Sequence, residues 1–277
     1  MTPQTPLSTA DPRPTTPPRL SAWVRPVLNK VPEVTILFWV VKILSTTVGE
    51  TAADFLSGNL GLGLPATTAV MSVLFVAALI WQLSTRRYVP AVYWLTVVLV
   101  SVVGTLFSDN LVDNLGVSLW TTTAIFSVAL AAAFVGWYRS EHTLSIHTIV
   151  TRRREAWYWF AILCTFSLGT SAGDLISEKL ALGYATAALI FGGVIALVAV
   201  AHYGFRVNAV LTFWTAYVLT RPFGASIGDF LTAAPKDGGL GLGTNGTSIV
   251  FLVVIVTIVG SFTVQARRAD RLLDARR

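Results

Sequence analysis

The chain has 277 residues, of which 54% are hydrophobic and 12% are charged, and its formal net charge is +6. Soluble domains carry about 25% charged residues, so this composition excludes an ordinary soluble domain and indicates an integral membrane protein. The single cysteine, Cys164, excludes an intramolecular disulfide and a cysteine-rich metal site.

The chain opens with residues 1–27, a segment rich in Pro and Thr that predicts a disordered cytoplasmic leader. This segment has no apolar core of the kind that a cleaved signal peptide needs. Eight apolar segments follow, and most approach the ~20 residues that a helix needs to cross a bilayer. They are residues 34–56, 65–83, 90–111, 117–137, 156–176, 182–201, 208–231 and 247–265. Runs such as Val194–Ala201 do not alternate apolar and polar residues, so we expect an all-α protein and not a barrel.

The linkers between these segments differ in charge. Of the 20 Lys and Arg residues, 16 lie in the two tails and in alternate linkers, around Arg86, Arg139–Arg154 and Arg206. The intervening linkers hold only Lys179 and Lys236. By the positive-inside rule, both termini are predicted to be cytoplasmic. Because topology accounts for the basic tails, we expect no nucleic-acid partner.

One motif occurs four times with the same spacing: Trp, nine residues, Gly, four residues, Asp. The copies are Trp39-Gly49-Asp54, Trp94-Gly104-Asp109, Trp159-Gly169-Asp174 and Trp214-Gly224-Asp229. The first two copies are 55 residues apart, as are the last two, and the two pairs are 120 residues apart. The spacing predicts a two-helix unit that was duplicated twice.

This two-plus-two duplication divides the chain. The predicted parts are a first half (31–138), a cytoplasmic connector (139–155), a second half (156–265) and a basic cytoplasmic tail (266–277). Each unit contains two spans, so we expect all four motif helices to run in parallel from the cytoplasm outward. Their aspartates would then lie at one depth, nearer the outer face.

The four motif tryptophans and the eight-helix plan resemble a family of bacterial membrane proteins built from four tandem repeats. Each repeat of that family has two transmembrane segments and a characteristic tryptophan. The resemblance covers about residues 31–265. The function of the family's repeat is unknown, so the resemblance implies this architecture and a bacterial membrane, and it implies no substrate.

Ionisable residues inside a membrane are costly and indicate a functional site by default. The predicted spans hold five acids and two bases: Glu50, Asp54, Asp109, Asp174, Asp229, Lys42 and Arg221. We expect the two bases to compensate part of the negative charge, and the rest requires protonated carboxylates or a bound cation. The five acids are therefore the predicted ion- or proton-binding site. The alternative is that they only form hydrogen bonds between repeats.

The available ligand atoms suit hard cations such as Na⁺, Mg²⁺, Ca²⁺ or Mn²⁺, which prefer carboxylate, hydroxyl and carbonyl oxygens. The four motif aspartates are accordingly the candidate metal ligands. His142 and His147 lie in a predicted solvated linker and are not expected to bind metal. No cofactor is expected beyond a possible bound cation.

The motif tryptophans precede the aspartates by 15 residues, about 22 Å along a helix, so they cannot contact the same ion. We expect them either to pack between helices or to form a cytoplasmic gate. The motif glycines predict close approach of neighbouring helices, with local unwinding of the helix as the alternative. Four further tryptophans are expected in interfacial belts: Trp81, Trp120, Trp137 and Trp157.

The leading functional prediction is a transporter or channel for a hard cation in the bacterial cytoplasmic membrane. The cation is predicted to be a divalent metal such as Mn²⁺, or its transport to be coupled to protons. The alternatives are a proton-coupled carrier of a small organic cation and a membrane scaffold that transports nothing. The predicted partners are membrane lipid and the small cation, and the sequence does not specify an oligomeric state. No enzyme is expected, because the chain has no metalloprotease helix motif and no nucleophile with an adjacent base.

Overall fold

The computed structural model describes residues 29–59 and 61–274. Within them, all regular secondary structure is helical, as predicted. The long helices are α1 (Ile36–Asp54), α2 (Leu64–Ser84), α3 (Pro90–Asp109), α4 (Leu119–Glu141), α5 (Arg152–Asp174), α6 (Tyr184–Phe205), α7 (Ala209–Thr232) and α8 (Thr244–Asp274). The predicted leader, residues 1–27, lies outside the described residues.

Seven of the helices in the described part are long and apolar enough to cross a membrane, and α7 is the exception. It carries Arg221, Pro222 and Asp229, which lower its mean hydropathy. Because α7 packs against α1, α5 and α6, much of its surface meets protein and not lipid. Polar residues are tolerated inside a membrane when they face a helix bundle.

The helix ends follow local sequence signals. Several helices begin at a side chain that accepts a hydrogen bond from a backbone N–H two or three positions later: Thr35, Ser118, Thr151 and Asn208. Gly63 and Gly183 precede α2 and α6 with φ of 73° and 76°, which other residues rarely adopt. At the other end of the chain, α8 continues to Asp274 through part of the predicted tail, because Ala, Arg and Leu favour helix.

The helices form two concentric sets. The inner helices are α1, α3, α5 and α7, and they close a ring in which each contacts the next and α7 contacts α1. The outer helices are α2, α4, α6 and α8, and they pack on α3, α5, α7 and α1 respectively. Each outer helix therefore packs on the inner helix of the following repeat, and the last repeat closes on the first.

The four motif glycines lie at the contacts between successive inner helices. A Cβ on Gly104 would lie 2.5 Å from Cβ of Phe166, and one on Gly224 would lie 2.8 Å from Cγ2 of Thr46. Gly49 is equally tight against Ser101, and Gly169 against Arg221. Thr46, Ser101, Phe166 and Arg221 occupy equivalent positions in the four repeats. The same contact thus recurs at every interface of the ring.

A second set of repeated contacts lies near the starts of the inner helices. The aromatic residue before each motif tryptophan packs on the tryptophan of the next repeat. The pairs, with their ring-centroid distances, are Phe38–Trp94 (5.7 Å), Tyr93–Trp159 (5.5 Å), Tyr158–Trp214 (6.1 Å) and Phe213–Trp39 (5.7 Å). Three of the four motif tryptophans are buried, with Trp39 half-buried. They pack between helices in this structure.

Trp137, which was predicted in an interfacial belt, does not face outward. Its side chain is buried, and its ring lies 5.6 Å from that of Trp214. Trp81 and Trp120 are exposed on the helix surface, as an interfacial belt requires. The aromatic contacts at the start of α7 extend outward to α4, and spacing along one helix cannot reveal such a neighbour.

The connector between the halves is short and packed. It contains one 3₁₀ turn, Ile146–Thr148, and Ile146 and Ile149 are buried in the core. Close to it, Lys30 forms a buried ion pair with Glu155 (Nζ–Oε2, 2.6 Å). Gln82 at the end of α2 donates to Oε1 of the same carboxylate (2.9 Å). These bonds tie the chain before α1 to the beginning of α5.

Candidate functional site

The predicted site residues lie on one stripe of the inner helices, at every fourth position. Neighbouring positions are about 6 Å apart along a helix. We name five layers across the ring from its helix starts: the aromatic layer (Phe38, Tyr93, Tyr158, Phe213), the lysine layer (Lys42, Val97, Ile162, Tyr217), the arginine layer (Thr46, Ser101, Phe166, Arg221), the glutamate layer (Glu50, Thr105, Thr170, Ala225) and the aspartate layer (Asp54, Asp109, Asp174, Asp229).

The aspartate layer forms the accessible end of this stripe. Asp54 is exposed, and the other three aspartates are half-buried. Asp109 lies within Coulombic range of Asp54 and Asp174, and Asp229 lies within range of the same two residues. Within the described part of the chain, none of these four carboxylates takes part in a hydrogen bond or an ion pair with another side chain. The structure therefore brings the four predicted acids together, and among the described residues their carboxylates have no side-chain partner in a hydrogen bond or an ion pair.

The four motif aspartates are the predicted metal ligands. Among the described residues, no group of three or more His, Cys, Asp or Glu side chains is placed to hold a metal ion. The layer can instead attract a hydrated cation by its summed charge.

Two acids at this end are absent from the predicted site. Asp113 and Glu178 lie within Coulombic range of Asp54. They follow Asp109 and Asp174 by four positions, and they continue the same stripe beyond the predicted spans. The four-residue period of the stripe could have found them, since it does not end with the apolar segment.

The helical geometry changes directly after the aspartates of three repeats. Single π-helical turns cover Phe55–Asn59, Asn110–Asn114 and Leu175–Lys179. In the fourth repeat α7 continues to Thr232, and a loop with five additional residues follows. Single π-helical turns within α-helices are frequent at functional sites. The aspartates thus occupy the transition from regular helix to the loops of this end.

Arg221 lies on the axis of the ring, because its guanidinium contacts the other three inner helices. Its Nη2 lies 2.5 Å from Oε2 of Glu50 on α1. The same nitrogen donates to the hydroxyl of Thr105 on α3 and to Oγ1 of Thr170 on α5, the latter at 2.7 Å. Nη1 donates to the carbonyl of Thr46 (3.4 Å). Arg221 is fully buried, and its contacts close the axis below the aspartate layer.

Glu50 and Lys42 are both buried, but within the part of the chain that the structure describes only Glu50 has a partner of opposite charge. Glu50 is buried, accepts a hydrogen bond from Thr105 (3.1 Å) and is paired with Arg221, so one predicted base compensates it. Lys42 is also buried, but it forms no ion pair among the described residues. Its Nζ donates to the carbonyl of Tyr217 (3.0 Å) and to the Thr220 hydroxyl, and it lies 4.0 Å from the Tyr217 ring centroid.

The aromatic layer closes the other end of the stripe. The hydroxyls of Tyr93 and Tyr158 share a hydrogen bond of 2.5 Å, and both side chains are fully buried. Phe38 is buried beside them. The axis is thus accessible at the aspartate layer and filled with side chains at the other four layers.

Comparison with known proteins gives one family. The family model described as "Repeat of Unknown Function (DUF347)" matches four consecutive segments of the chain, residues 37–88, 92–143, 157–208 and 212–268. Each segment contains most of one inner helix, and it contains all or most of the outer helix that follows. No curated protein and no solved structure matches the chain.

Proposed function

Because the chain belongs to the family of the Repeat of Unknown Function (DUF347), we propose its function from its own geometry: it carries a hard cation across the membrane along the axis of the helix ring. The four tandem repeats predicted from the sequence are those of this family. The proposed location is the cytoplasmic membrane of a bacterium, where the chain is a multi-pass protein.

One observation carries this proposal: four carboxylates without partners lie at the accessible end of an otherwise buried axis. Carboxylates that only held repeats together would form hydrogen bonds to neighbouring helices. None of the four does so among the described residues. A cluster of negative charge beside low-dielectric protein raises the local concentration of cations.

The proposed orientation places the aspartate layer at the outer face of the membrane. The repeated glycine and tryptophan contacts join equivalent positions at two levels of the ring, which supports four parallel inner helices. The linkers at the helix starts carry Arg86, Arg139 and Arg206, and by the positive-inside rule that end is cytoplasmic. Both termini are then cytoplasmic, and the aspartate layer receives cations from outside.

The closed end favours a carrier over an open channel. Below the aspartate layer, the axis is filled by Arg221, Lys42 and the aromatic layer. A cation therefore passes only after these side chains move. A protein open at one end and closed at the other has the form of one state of an alternating-access carrier. The motif tryptophans pack on aromatic neighbours and do not line this axis, which argues against recognition of an organic cation by them.

The test is cation flux into liposomes that contain the purified protein, measured for Na⁺, K⁺, Mg²⁺, Ca²⁺ and Mn²⁺. We expect flux of at least one cation, and we expect it to fall at least about tenfold when the four aspartates of the layer are changed to Asn, since charge attraction at short range contributes more than about 1.4 kcal/mol. Glu33→Gln is the matched control, because Glu33 is an exposed acid at the other end of the ring.

Two results would contradict the proposal. One is that no cation in this panel crosses the liposome membrane through the wild-type protein. The other is that the four-Asn variant transports as fast as the wild type. If the variant only melts at a lower temperature and no solute ever moves, the scaffold function predicted as an alternative gains support.

A further inference from the structure

The guanidinium of Arg221 occupies a cage of oxygen atoms from the other three inner helices. The cage consists of the Glu50 carboxylate, the hydroxyls of Thr105 and Thr170, and the carbonyl of Thr46. All four residues are buried, with Glu50 the most exposed at 6%. These are the oxygen types that bind hard cations in proteins.

The chemistry of the cage is not that of a fully satisfied structural ion pair. Nε of Arg221 is buried and has no hydrogen-bond partner among the described residues. Buried polar groups of purely structural ion pairs are usually satisfied, because an unpaired one costs free energy. In the other three repeats the position of Arg221 is taken by uncharged residues, Thr46, Ser101 and Phe166. Repeat packing therefore does not require a cation there.

The net charge of the cage favours a monovalent cation over a divalent one. It holds one carboxylate and one guanidinium, and its other groups are neutral, so its net charge is zero. A monovalent cation in place of the guanidinium leaves the net charge unchanged. A divalent cation would leave one uncompensated positive charge in a buried environment, which is strongly unfavourable.

We propose that this cage is an inner binding site for a monovalent inorganic cation, formed by the Glu50 carboxylate, the Thr105 and Thr170 hydroxyls and the Thr46 carbonyl. In this structure the guanidinium of Arg221 occupies the site in place of the cation. A cation that arrives from the aspartate layer displaces the guanidinium. The displaced side chain is received by the aspartate carboxylates, which lie one turn away, about 6 Å along the axis. Cation and guanidinium thus exchange positions without burying net charge.

The role of this exchange in transport rests on the proposed function, whereas binding is tested without flux. The test uses Arg221→Met, which keeps the stem that packs on Gly169 and removes the guanidinium. Melting temperature is measured in detergent with NaCl, KCl or choline chloride at one ionic strength. We expect a saturable rise of about 5 °C in Na⁺ or K⁺ relative to choline, because a ligand that binds only the folded state stabilises it.

Two control variants separate a cation site from a structural ion pair. Arg221→Met combined with Glu50→Gln removes both charges, and its melting temperature is expected to be the same in all three salts. Arg221→Lys keeps a positive charge in the cage and is likewise expected to show no gain. A merely structural pair would leave Arg221→Met destabilised to the same extent whichever salt is present.

Each outcome decides the proposal. Equal melting temperatures of Arg221→Met in the three salts would overturn it, as would a salt-specific gain that persists after Glu50→Gln. If Arg221→Met folds only with Na⁺ or K⁺ present, the site is supported. If it folds in no salt while the double variant folds, the cage does not accept a cation and the proposal fails. Cation flux through the wild type without the rise in melting temperature of Arg221→Met refutes the inner site alone. That rise without any cation flux refutes transport alone.

Discussion

At the residue scale, the two buried bases of the axis differ in what their removal leaves behind. Arg221 is paired with Glu50, so its loss leaves a buried carboxylate. Lys42 donates to a carbonyl and a hydroxyl and lies against aromatic rings. The carbonyl of Tyr217 and the hydroxyl of Thr220 also bond to each other (2.9 Å), so they remain satisfied without Lys42.

We therefore expect Lys42→Met to change the free energy of unfolding by no more than about 1 kcal/mol, since it removes a buried charge without leaving another unpaired. Lys30→Met is the matched comparison, because Lys30 is equally buried but paired with Glu155. We expect it to cost about 3–5 kcal/mol. Denaturation of both variants in detergent measures the difference. An equal loss for the two would mean that Lys42 has an anionic partner.

The sequence could predict which positions of the axis carry charge, and it could not predict their pairing. Lys42, Thr46, Glu50 and Asp54 follow one another at four-residue spacing, which placed them on one face of α1. The partner of Glu50 is Arg221 on a neighbouring helix, and spacing within a helix contains no information on that neighbour. The period also extends past the hydrophobic segment, and the span limit left Asp113 and Glu178 outside the predicted site.

At the element scale, the inner ring depends on how closely its helices approach. Each motif glycine faces a side chain of the next inner helix at a distance that leaves no room for a methyl group. At Gly104 an added Cβ would meet backbone as well as side chain, because the backbone nitrogen of Ser167 would lie 3.1 Å from it and Cβ of Phe166 2.5 Å from it. Backbone atoms cannot move aside as a side chain can.

Gly104→Ala is accordingly expected to lower the free energy of unfolding by about 1–3 kcal/mol through overpacking. The control is Gly193→Ala on α6, where an added Cβ meets no atom within 4 Å. That change is expected to raise stability by about 0.5–1 kcal/mol, because alanine favours helix. Melting curves in detergent compare the two variants. A Gly104→Ala protein as stable as the wild type would show that the helices are free to separate at this point.

Helix boundaries and helix partners differed in how well the sequence predicted them. Seven of the eight apolar segments reappear as membrane-length helices, and the eighth, α7, is a helix of 24 residues despite its charges. The choice of partner was not predictable from the repeat, because the repeat gives each outer helix four equivalent inner helices. The structure shows that each outer helix packs on the next inner helix and that α8 packs on α1, a choice that a repeat period does not encode.

At the scale of the whole molecule, the proposed orientation separates acidic and basic ends. Single cysteines in a Cys164→Ser background test it through labelling with a membrane-impermeant maleimide. We expect Lys179→Cys and Lys236→Cys to be labelled from outside intact cells, and Arg86→Cys to be labelled only after permeabilisation. Lys179 and Arg86 are both exposed, so accessibility of the thiol does not decide the result. The reverse pattern of labelling would place the aspartate layer at the cytoplasmic face.

The packing of each outer helix on the following repeat has a consequence for the origin of the chain. The outer helix of a repeat does not pack on the inner helix of the same repeat. Four copies must therefore close into a ring before every inner helix has an outer helix packed on it, as in a cyclic homotetramer. In a tetramer of identical subunits, every layer would hold one residue type four times, and an arginine at this depth would face three others. Fusion into one polypeptide removes that restriction. In this fused ring the repeats differ, and a single Arg221 lies opposite a single Glu50.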